Sequence, residues 1–187
     1  MKTIVDLINE IICTPEEADN IIEHLSDDPD GFRKQYTGFL EESVFLTLIR
    51  RSKKNKYLDR FLSALVTCVL KEEVSNLVFT ELIHHRSRYH DTILNCLAHL
   101  PLSYYQLITL NQYHQDEALC QLLVLFLEHE CFTEFDAYEI LRPWKGRITP
   151  FILESIHYCL FSYSCPKKER ILEKVEIFSK VLEKRFR

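Results

Sequence analysis

The stretch Asp116–Glu130, DEALCQLLVLFLEHE, decides the fold. Leu119, Leu122, Leu123, Phe126 and Leu127 recur at helical spacing, and Cys120, Val124 and Leu125 widen the stripe beyond one face. A helix apolar over most of its girth needs neighbours on several sides, so other helices should pack around this one. Acidic groups bracket it. Asp116 and Glu117 suit the positive end of the helix dipole, and Glu128, Glu130, Glu134 and Asp136 follow its other end.

Moving outward, only three glycines and six prolines occur in 187 residues. Folds rich in strands need many turns with positive φ, so this scarcity predicts helices with short connections. With 47% apolar and 27% charged residues the chain is of globular composition, and its length predicts one all-helical domain over 1–187. No uncharged apolar run is long enough to predict a membrane span. Asp6 and Glu10 interrupt the N-terminal apolar pattern as no secretory signal would, which predicts a cytoplasmic protein. The seven cysteines form no CxxC pair and are expected to be reduced, structural thiols.

Apolar periodicity predicts helices over 4–12, 15–25, 32–39, 41–51, 57–71, 72–85, 89–100, 104–114, 116–130, 134–141, 150–163 and 166–186. Thr14-Pro15-Glu16-Glu17 reads as a capping box, Ser103 and Thr133 as N-caps, and Ser26–Gly31 (SDDPDG) as a loop. Successive helix pairs begin near Thr3, Gly31, Leu58, Arg88, Asp116 and Thr149, a period of 27–33 residues. Stacked helical hairpins produce such a period, and in this the chain resembles HEAT- and armadillo-like superhelical proteins. The resemblance implies an all-α, right-handed stack of short antiparallel hairpins. An irregular helical bundle is the alternative.

Three isolated glycines build no phosphate loop, and no nucleophile motif is present, so no catalysis and no cofactor are expected. Glu81/His84 and Glu154/His157 are two Glu-x-x-His pairs, each on one helix face, and define the alternative of a helical metal-dependent enzyme. With 28 acidic residues and 8 histidines such pairs arise by chance, so no metal site is assigned. The run His84–His90 (HHRSRYH) reads as an exposed, cationic junction between helices.

Net charge is −5, distributed in blocks: −8 over 1–49, +5 over 50–60, −8 over 61–140 and +6 from Leu141 onward. The basic tail alternates with Glu169, Glu173, Glu176 and Glu183, the pattern of a salt-bridged solvent face. With a pI near 5.9, direct nucleic-acid binding is not expected. Tyr104, Tyr105, Tyr113, Tyr138 and Trp144 gather at helix ends near the acidic groups of the central helix. Aromatic rings beside unmatched charge are typical of binding surfaces.

The expected site is therefore a partner-binding surface made of Asp116, Glu117, Glu128, Glu130, Glu134, Asp136, Tyr138 and Trp144. In type, a small acidic helical chain without a catalytic motif resembles bacterial immunity proteins, which block toxin domains. The resemblance implies a basic protein partner, possibly a nuclease toxin. A helical scaffold that binds a peptide or helix is the alternative.

Overall fold

The computed structural model describes residues 2–37, 41–113, 115–128, 133–144 and, beyond these, 176, 177, 180, 181 and 184. The described chain is helical: α1 (Ile4–Cys13), α2 (Ala18–Asp27), α3 (Pro29–Gln35), α4 (Glu42–Ser52), α5 (Lys56–Cys68), α6 (Asn76–Ile83), α7 (His90–Ala98), α8 (Tyr104–Asn111), α9 (Asp116–Glu128) and α10 (Glu134–Leu141). Short 3-10 turns cover Pro15–Glu17 and Arg142–Trp144. Two residue pairs form a minimal parallel bridge, Lys2 opposite Tyr36 and Thr3 opposite Thr37. No described helix is long and apolar enough to cross a membrane.

Side-chain caps set most helix starts. Asn55 accepts from the N–H groups of Tyr57 and Leu58 at 3.0 and 3.1 Å and opens α5. Ser75, Ser103 and Thr133 cap α6, α8 and α10, the last two with reciprocal capping boxes through Gln106 and Asp136. Two local expectations fail for identifiable reasons. The Thr14 hydroxyl donates to the Glu10 carbonyl at 2.7 Å, so it finishes α1 instead of capping α2. The expected loop at Ser26–Gly31 is a helix start: Asp28 accepts from the Gly31 N–H at 2.9 Å, with Pro29 at the first helical position. A Cβ on Gly31 would overlap the Asp28 carboxylate as it is placed, so a larger residue there would require that side chain to shift.

The chain divides into two compact units, Met1–Pro101 and Leu102–Arg187. In the first, α5 is the hub and packs against α1, α2, α4 and α7. Its Leu58, Phe61, Leu62, Leu65 and Val66 are buried at the 3–4 residue spacing of one broad face. Phe61 meets Phe32 of α3, with ring centroids 6.4 Å apart, and Phe32 lies 4.6 Å from Tyr36. Three of the six basic residues in the segment 50–60 are tied down. Arg51 donates to Asn9 at 3.0 Å, Lys53 pairs with Glu81 at 3.2 Å, and Arg60 pairs with Asp19.

In the second unit α8, α9 and α10 pack on one another. From Ala118 to Phe126 no residue of α9 is exposed, and Ala118, Leu119, Leu122, Leu123 and Phe126 are buried. Glu176 and Lys180 pair at 2.9 Å along an exposed helical turn, the arrangement expected of the tail. The two helices expected over 150–163 and 166–186 otherwise lie outside the described residues.

Candidate functional site

The short connection 112–115 joins α8 to α9, and the two helices pack together as an antiparallel hairpin. The start of α8 therefore lies beside the end of α9. The Tyr104 hydroxyl donates to Asp136 at 3.4 Å, which brings the start of α10 to that same end. At about 1.5 Å per residue, 13-residue α9 separates Asp116 from Glu128 by roughly 18 Å. Asp116 and Glu117 thus lie at the opposite end from Glu134 and Asp136. Asp116 and Glu117 therefore do not form one patch with Glu134 and Asp136.

The remaining expected residues divide by exposure. Asp116 and Glu117 are exposed and make no ion pair among the described residues. Glu134 is exposed, and Lys184 approaches it at 3.8 Å; both side chains are well solvated, so the pair is worth little. Asp136 faces inward: one oxygen accepts from the Thr133 N–H at 2.7 Å and the Thr133 hydroxyl at 2.8 Å, and the other from Tyr104. Tyr138 is half-buried. Glu128 ends α9 with its side chain outside the described residues, and Glu130 lies outside them altogether.

Trp144 needs correction. It is 6% exposed, and its Nε1–H donates to the Asn111 Oδ1 at 2.6 Å. Asn111, fully buried, passes the chain on by donating to the Ile140 carbonyl at 2.7 Å. Trp144 is a core residue tied into a polar relay, and a ring so placed presents nothing to a partner. Trp144→Phe should leave the Asn111 oxygen without its donor and cost about 1–2 kcal/mol in urea unfolding. An unchanged midpoint would show that water replaces the indole.

Among the described residues the exposed aromatic rings of this end are Tyr105 and Phe135, 58% and 69% exposed. They flank, in sequence, the two residues of the Tyr104–Asp136 bond. Phe135 escapes the sequence reading although its phase marks it. Ala137, Ile140 and Leu141 are buried, and Phe135 sits two residues, or about 200°, around the helix from Ala137. The local field is negative. The Tyr104 phenol is pushed up to about 12, first by burial, then by the charge of Asp136, its hydrogen bond to Asp136, and the charge of Glu139. Because the folded value exceeds the unfolded one of 10.0, the neutral phenol contributes stability below pH 10. That contribution is lost as pH rises toward 12. Absorbance titration of tyrosine should show one phenol ionising late, and Asp136→Asn should bring it back toward 10.0.

The His84–His90 junction is not simply an exposed turn. His85 is completely buried, with Nε2 2.7 Å from the Oδ1 of buried Asp59 on α5. His85 Nδ1 is buried without a hydrogen-bond partner. A proton on Nδ1 would be an orphaned donor, so the ring carries it on Nε2 and donates to Asp59. The sequence signal for this pair was Asp59 itself, a carboxylate in phase with Leu62 and Val66 on a buried face.

For the metal alternative, Glu81 pairs with Lys53, and His84 sets Nδ1 2.8 Å from the Thr80 carbonyl. Among the described residues no group of three or more His, Cys, Asp or Glu side chains is placed to hold a metal, and Glu154/His157 lie outside them. Cys13, Cys68 and Cys96 are free thiols, exposed or half-buried. In comparisons with known proteins, no family model, curated protein or solved structure matches the chain.

Proposed function

We propose that this helical chain is a non-catalytic protein-binding module, and in its sharper form an immunity protein that neutralises a basic toxin domain in the cytoplasm. The observation that carries the reading is the pair of exposed rings, Tyr105 and Phe135, at the end of the second unit where Asp136 and Glu139 make the field negative. A phenylalanine held mostly in water gains nothing for folding, whereas rings of this kind become the anchors of interfaces. Arginine side chains of a partner would meet both a ring face and a carboxylate there.

The partner surface is accordingly Tyr105, Phe135 and Glu134, with Asp116 and Glu117 as a second, separate acidic contact. Trp144 has no place in it. The hub position of α5, which touches α1 and α2 as well as its sequence neighbours, favours an irregular bundle over a stack whose repeats meet only adjacent repeats. Tyr105→Ala with Phe135→Ala should weaken partner binding by about 2 kcal/mol or more, roughly 30-fold in Kd. Helical circular dichroism should not change. Titration calorimetry against the basic partner measures this, and an unaltered affinity places the interface elsewhere.

A further inference from the structure

In the first unit, α4 packs against α6 and leaves a hollow of about 150 Å³ at the end where both helices begin. Its floor is apolar: Phe45, Leu70 and Val78 line it and are 3%, 5% and 4% exposed. Glu42, at the start of α4, and Glu73, in the connection before α6, line it too, and both are exposed, so their carboxylates stand at its mouth. Ser75 is occupied, because its hydroxyl accepts from the Val78 N–H at 3.3 Å and caps α6. Unpaired carboxylates are common on this chain, Glu16 and Glu17 among them. Glu42 and Glu73 differ from these in flanking one buried apolar hollow. The starts of α4 and α6 each carry about half a positive charge, and two full carboxylate charges outweigh them, so the mouth is negative.

We propose that this hollow receives the side chain of an arginine from another protein. Small-molecule pockets run to roughly 300–1,000 Å³, so a volume of about 150 Å³ suits a single side chain better than a metabolite. An apolar floor with charge only at the mouth asks for a long aliphatic stem and a cationic tip, the shape of arginine and lysine. Of the two, arginine fits better. Its guanidinium spreads five donors in a plane and can address carboxylates on two different elements, and it gives up its hydration more readily than an ammonium does. A purely apolar side chain would crowd water away from both carboxylates and return nothing to them. The hollow lies wholly in the first unit, so it reaches beyond the surface of Tyr105 and Phe135 and holds or fails separately from it.

The test is an NMR titration of the full chain with capped glycyl-arginyl-glycine and with its lysine and citrulline counterparts. Saturable shifts of the Phe45, Val74 and Val78 amides are expected with the arginine peptide at millimolar concentration. Citrulline keeps nearly the same shape without the charge, and its peptide should bind about fivefold more weakly or worse. The lysine peptide should also bind more weakly than the arginine one. Glu42→Gln with Glu73→Gln should weaken the arginine peptide by about fivefold or more. Glu73→Gln alone, outside any helix, should weaken it by about twofold and serves should the double variant lose its helical signal. Glu16→Gln with Glu17→Gln removes the same charge away from the hollow and should change nothing. No saturable shift, equal weakening by that control, or lysine or citrulline binding as tightly as arginine would each overturn the proposal.

Discussion

Phe61→Ala should destabilise the first unit by about 3–5 kcal/mol, the range for a fully buried aromatic truncated where the surroundings cannot collapse. Phe61 is 0% exposed on α5, the helix that four others use as their common wall. A void there faces several elements at once, so no single helix can shift to fill it without leaving another. Small domains have only about 5–15 kcal/mol in total, so the loss should move the urea midpoint far down without altering the slope. Phe135→Ala is the matched control: the same residue type, also helical, but 69% exposed. It should change stability by no more than about 0.5 kcal/mol. Equal effects at the two positions would mean that α5 is not the hub.

The second large effect concerns the buried pair. Asp59→Ala should cost about 3 kcal/mol, because it strands the His85 ring, 0% exposed, with neither nitrogen satisfied. Much of that cost is the penalty of leaving a buried polar group alone, not the worth of the bond. The double variant Asp59→Leu with His85→Leu should therefore recover most of the lost stability, as replacing both buried partners by apolar groups commonly does. Losses that simply add in the double variant would show that the two side chains act independently.

Helices were legible in the sequence wherever apolar spacing was sustained and a cap preceded it, as at Ser103 and Thr133. Failures came where one side chain had two local bonds to choose between. Thr14 reads as a cap but closes the preceding helix, and Asp28 reads as loop but opens the next. Position in sequence misled the search for the centre. Asp116–Glu128 holds the longest leucine-rich run, yet the widest set of described helix partners belongs to α5, whose pattern includes Asp59 and Ser63 on the buried face. Polar residues there lower the apparent hydrophobicity while marking the deepest contacts.

The packing of the expected site residues was legible only in part. Acidic and aromatic residues do meet at one end of the α8–α10 group. Trp144 and Asp136, however, are occupied by Asn111 and by Thr133 and Tyr104. Spacing alone could not show the Asn111 and Tyr104 contacts, because each comes from another helix, whereas Thr133 is the cap three residues before Asp136. Residue type favoured Trp144, while helical phase would have favoured Phe135. In this chain phase was the better guide to what water touches.

The most direct measurement of the proposed immunity role is growth rescue of cells that express candidate basic toxin domains, with the wild-type chain and with Tyr105→Ala/Phe135→Ala. The wild type should restore growth, and the variant should fail to do so while keeping its helical circular dichroism and its urea midpoint. No rescue by the wild type, or equal rescue by a folded variant without the two exposed rings, would contradict the account.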